Sequence, residues 1–178
     1  MEGAWFCMSK RSTLAIGFAG FALLALGALL GALIPGWALL TGLMALLGTA
    51  LCSICFYSYG AAPRTGADGP LCAACWACAV IPLVAPVLWA LGLTQGVFAT
   101  LRAIAAILGA LAIAWFFFIL YNNWTGKVRQ WALAACAAAL AMLLFGLVLQ
   151  VAFLGDVCAI ACYACATMAL FCQHAVTR

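Results

Sequence analysis

The run Ala110–Leu120, ALAIAWFFFIL, decides the fold. Polar and apolar residues do not alternate along it, as they would in a strand of a membrane barrel. It sits inside a longer apolar segment, Val97 to Tyr121. As a helix, that segment is long enough to cross about 30 Å of hydrocarbon. In lipid every backbone amide needs an internal partner, so a segment of this kind is helical.

Five similar segments surround it. Leu14 to Ile34 is followed by Pro35-Gly36, which breaks the run and gives a tight turn. Trp37 to Tyr59 comes next, then a Pro-, Gly- and Ala-rich loop from Gly60 to Leu71. Cys72 to Leu93 leads into the segment quoted first. A polar stretch, Asn122 to Gln130, separates it from Trp131 to Leu154, and Asp156 to Val176 is the last. The fold class expected is all-α: a polytopic membrane bundle of about six transmembrane helices in a single domain spanning residues 1–178.

Composition agrees. Of 178 residues, 71% are hydrophobic and 6% are charged. A soluble domain of this size carries about a quarter charged residues, so the expected partner is the lipid bilayer. Nucleic acid is not expected, because the seven basic residues form no stripe. Their placement sets an orientation instead. With the N-terminus inside, Lys10, Arg11, Arg64, Lys127, Arg129 and Arg178 all fall on the cytoplasmic side, and only Arg102 falls near the outer face. The aromatic residues follow suit. Tyr57, Tyr59, Tyr121, Trp124 and Trp131 mark the inner interface, and Trp37 and Trp89 the outer one. The location expected is the cytoplasmic membrane, multi-pass, with both termini and the loop 60–71 in the cytoplasm. The first segment is too long for the core of a cleaved signal peptide and runs straight into a second span. Asn123-Trp124-Thr125 has the form of a glycosylation acceptor but faces the cytoplasm in this topology.

Ala74-Cys75-Trp76-Ala77-Cys78-Ala79 recurs as Ala161-Cys162-Tyr163-Ala164-Cys165-Ala166. The same offset carries the first span onto the fourth and the third onto the sixth. The chain therefore reads as three helices repeated in inverted orientation, an architecture many transporters use. In that reading the first motif lies near the inner end of its span, and the second near the outer end.

The chain holds eleven cysteines. Cys52 and Cys55 close the second span, and Cys72, Cys75 and Cys78 open the third. Cys158, Cys162 and Cys165 lie on the sixth. Residues three apart share a helix face. Such pairs suit a soft-metal site or a thiol–disulfide relay, since thiolates favour zinc, copper(I) and iron–sulfur clusters, and Cys-x-x-Cys pairs cycle through a disulfide. The same pattern suits plain packing, because Cys behaves as a small hydrophobe. The single histidine, His174, reads as an interfacial residue rather than a ligand. No cofactor is named by any motif.

Ionisable groups within lipid are costly and so are functional candidates. Arg102, Gln150 and Asp156 form an expected outer polar cluster, in which Arg102 and Asp156 would pair. Pro82 and Pro86 are expected to kink the third span. Gly27 and Gly31, with Gly17 and Gly20 before them, form a close-packing face for a helix of this chain or of a partner, and a homo-oligomer or a partner membrane subunit would fit it.

The chain has no Walker sequence, no Asp-rich prenyl-phosphate motif, no Gly-x-Ser-x-Gly elbow and no paired carboxylates. An enzyme is disfavoured unless the thiols are the chemistry, in which case it is a thiol–disulfide oxidoreductase. The leading reading is a small permease-type module for a weakly polar solute. The alternatives are a thiol relay or soft-metal handler, and a membrane sensor or anchor subunit without transport.

Overall fold

The computed structural model describes residues 10–61, 69–149 and 151–176. Cys7, Arg64, Gln150 and Arg178 lie outside the described residues. Six helices, each long and apolar enough to cross a membrane, make the chain a multi-pass membrane helix bundle. They are α1 (Lys10–Leu33), α2 (Ala38–Ala61), α3 (Gly69–Ala90), α4 (Val97–Asn123), α5 (Gly126–Leu143) and α6 (Ala152–Val176).

Each helix packs against its neighbours in sequence, and α6 packs against α1. The six therefore form a closed ring of antiparallel helices. Arg11 Nε donates to His174 Nε2 at 3.3 Å, joining the first turn of the ring to the last. These residues mark the terminal end of the ring; the opposite, distal end holds the 34–37 and 91–96 turns and the α5–α6 junction.

The turns have identifiable causes. Between α1 and α2 the chain makes a short 3-10 turn, Pro35–Trp37, whose proline needs no amide donor in the first turn. The α3 end is a Schellman motif: Gly92 N–H bonds to Trp89 O, Leu93 N–H bonds to Leu88 O, and Gly92 has φ of +73°. α5 winds on through a π turn, Leu144–Val148, in which Leu149 N–H reaches Leu144 O at 2.9 Å.

Two boundaries differ from the sequence expectation. The polar stretch 122–130 is almost wholly helical, with only Trp124 and Thr125 outside α4 and α5. Lys127 and Arg129 are exposed on the first turn of α5, where long side chains reach water without a loop. The break between the last two helices falls at 149–151 rather than at Gly155. Gly155 instead lets α6 approach α5: a Cβ there would lie 2.8 Å from the Gly146 Cα.

α4 is the most enclosed helix, with half of its span buried against a third or less for the others. The outer surface is rich in large apolar side chains, Leu26, Leu33, Leu43, Leu47, Leu111 and Phe118 among them, as lipid contact requires. Inside, helix association cannot draw on the hydrophobic effect, because lipid tails are as apolar as leucine. Close fit replaces it. The α1 and α2 backbones meet at Gly20 and Gly48, where a Cβ on Gly20 would lie 2.9 Å from the Gly48 carbonyl oxygen. Further along α1 the fit loosens: the corresponding clearance is 3.2 Å at Gly27 and 3.6 Å at Gly31.

Candidate functional site

The middle and terminal part of the ring interior is filled by aromatic rings from three helices. Phe21 of α1 lies 6.0 Å from both Phe56 of α2 and Phe117 of α4. Phe56 and Phe116 stack edge to face at 4.8 Å, and Phe116 and Phe117 do so at 5.2 Å. All four phenylalanines are fully buried. Edge-to-face pairs contribute about 0.5–1.5 kcal/mol each beyond their buried area. Below them Gln173 of α6, buried, donates to the Tyr59 hydroxyl at 2.9 Å. Tyr59, half-buried near the end of α2, thus turns its hydroxyl toward the ring interior.

The thiols belong to this filled region. Cys52, Cys55, Cys75, Cys78 and Cys162 are buried, and Cys72, Cys158 and Cys165 are half-buried. Because α2 and α3 run antiparallel, Cys52 lies level with Cys78 and Cys55 with Cys75. Cys162 and Cys165 sit midway along α6 rather than near its distal end, because that helix starts earlier than the sequence suggested. The ten described cysteines are all free thiols. Three reach carbonyl oxygens of a neighbouring helix: Cys52 to Gly17 at 4.0 Å, Cys72 to Gly60 at 3.5 Å and Cys162 to Ala135 at 3.7 Å. Among the described residues no three Cys, His, Asp or Glu side chains are placed to share a metal ion. Around the buried thiols, this arrangement bridges helices.

Toward the distal end the interior is hollow. A cavity of about 530 Å³ is lined by residues of α1, α2, α3, α4 and α6. That volume lies within the usual range for small-molecule pockets, about 300–1,000 Å³. Its existence follows from side-chain size. Where the filled region has phenylalanines, the cavity wall has Gly27, Ala28, Gly31, Ala45 and Ala85. Leu24 and Tyr163 line it where it meets the aromatic core, and the Tyr163 ring lies 6.3 Å from that of Phe21. Trp89 lines the wall and lies over Gly42, where an added Cβ would overlap its ring.

Of the expected outer polar cluster, Gln150 lies outside the described residues and the other two members are found here. Arg102 and Asp156 both line the cavity. They do not pair as the sequence suggested: among the described residues no salt bridge of 4.0 Å or less is present. Arg102 Nε is buried without a hydrogen-bond partner. The two prolines of α3 lie within one continuous helix. Pro86 lines the cavity, and Pro82 packs on Gly109 of α4. Each proline leaves the carbonyl four residues earlier without its helical donor.

Sequence reasoning missed Trp89, Thr41, Gly42 and Tyr163 as cavity residues. A signal for them was present in the small residues Gly27 and Gly31, which read as a packing face and which here also border an open space. Compared with protein families, curated proteins and solved structures, the chain matches none.

Proposed function

We propose that the chain is a small carrier-type membrane module that holds a largely apolar solute with a polar head in its distal cavity. The observation that carries this reading is the cavity itself: an apolar-walled space with one guanidinium and one carboxylate in its lining, bordered by five helices and ending on a wall of aromatic rings. Small side chains on several helices leave this recess open where larger ones would fill it. Two prolines in α3, next to the cavity, support it, since they weaken the hydrogen-bond ladder where a wall helix would bend. The positive-inside bias of Arg11, Lys127 and Arg129 at the terminal end would turn the cavity toward the outside.

The test is accessibility from each face of sealed vesicles. Single cysteines at Thr41, Ala85 and Ala159, in an otherwise cysteine-free chain, are treated with a membrane-impermeant thiol reagent. A carrier exposes its cavity alternately, so at least one position reacts from both faces. Reaction from one face alone under every condition sinks the carrier reading and leaves a receptor or anchor subunit.

A further inference from the structure

The two charged residues of the cavity carry the argument further. Arg102 is on α4 and Asp156 on α6, each between one and two turns from the distal start of its helix. At 1.5 Å per residue they lie at similar depth, roughly 6–8 Å in. Both line the same space, and among the described residues no hydrogen bond or ion pair engages either of them. Arg102 is half-buried with its Nε enclosed, Asp156 is exposed at the mouth of the same space, and the chain has only ten charged residues to place among its membrane-spanning helices. The remaining wall is mostly apolar, with Leu24, Ala28, Pro86 and Trp89 prominent in it and Thr41 and Tyr163 its other polar side chains.

Resting on the carrier reading, we propose that the cavity takes a zwitterion: a small molecule with one anionic oxyacid group, one ammonium group and an apolar remainder. The oxyacid sits on the Arg102 guanidinium, whose planar fork offers two parallel donors to a carboxylate or a phosphate. The ammonium sits on the Asp156 carboxylate. Charge complementarity selects this class over its rivals. A simple anion is drawn to Arg102 and repelled by Asp156, and a simple cation meets the reverse. Only a ligand with both charges satisfies both residues and leaves the site neutral.

Three probes with the same aromatic ring dissect the claim: L-phenylalanine, 3-phenylpropionate and phenethylamine. Binding to the purified full chain in detergent micelles is read by calorimetric titration. L-phenylalanine is expected to bind at least about tenfold more tightly than either singly charged analogue. Asp156→Asn should abolish the discrimination against 3-phenylpropionate, and Arg102→Gln the discrimination against phenethylamine. Arg11→Gln, at the opposite end of the ring, should leave all three affinities unchanged and so controls for folding. A fourth probe, phosphatidylethanolamine, carries the same two charges on a lipid. Binding of that lipid in place of phenylalanine, with the same response to both substitutions, supports the zwitterion and places its source in the bilayer. Equal affinity for the three ring compounds, indifference to both substitutions, or binding of none of the four probes overturns the proposal. These measurements need no sealed membrane. A chain that binds zwitterions yet exposes its cavity to one face only loses the carrier reading and keeps this one. A chain that alternates but ignores charge does the reverse.

Discussion

On the terminal side of Tyr163 the ring encloses Phe21, Phe56, Phe116 and Phe117, all fully buried and packed edge to face. On its distal side α1, α2 and α3 turn Gly27, Ala28, Ala45 and Ala85 inward and leave a cavity. The helices do not end or splay between the two regions. What changes is the volume of the inward residue. Lipid exerts no hydrophobic drive between helices, so where the bundle is filled and where it is open rests on side-chain size and close fit. A membrane bundle therefore hollows itself by choosing small residues at a few positions and buttressing them with close backbone contacts elsewhere, here Gly20 on Gly48 and Gly146 near Gly155.

Phe117→Ala attacks the filled half most directly. Truncating this fully buried ring should destabilise the protein by about 3–5 kcal/mol, read by denaturant unfolding in detergent. It should also join the cavity to the terminal side, read as leak of a trapped dye from vesicles. A variant that neither loosens nor leaks would mean the aromatic core is no barrier. Gly48→Leu comes next. A side chain there meets Gly20 and Leu24, so overpacking should destabilise by about 1–3 kcal/mol, whereas Gly31→Ala should change stability by less than about 0.5 kcal/mol. Equal effects at the two glycines would erase the contrast between tight and open ends. In the hollow half, Ala159→Phe should fit within about 1 kcal/mol of the parent stability while abolishing phenylalanine binding. A large stability loss would show the space is not available to a side chain. The smallest effect belongs to Cys72→Ala, expected within about 0.5 kcal/mol with solute binding intact. Abolished binding there would favour thiol chemistry over packing as the role of the cysteines.

How far the sequence could be read follows the same division. The helices were legible because hydropathy reports solvent, and six runs such as Ala110–Leu120 admit only lipid. The α5–α6 break was misplaced because Gly155-Asp156 resembles a turn, whereas Gly155 serves close approach to Gly146 and Asp156 faces a cavity. Arg102 and Asp156 were legible as partners at one end, since charges are rare enough to stand out. That they share a space without pairing was not legible. A void is set by side chains from five helices at once, and no single segment records it. The cysteines are legible only as alternatives. Their spacing suits metal or redox chemistry, yet the same spacing arises when a small residue bridges to a neighbouring carbonyl, as Cys162 does to Ala135.

The closure of α6 onto α1, with Arg11 and His174 in hydrogen-bond contact, has a consequence for chain connectivity. A closed ring has no seam, so the order in which its helices are synthesised is not fixed by its geometry. Joining Val176 back to Lys10 with a short linker and cutting at the Trp124–Thr125 turn would give a circular permutant whose new ends emerge on the same side as the old ones. The ring interior would be unchanged, although α5 and α6 would now be the first pair of helices made.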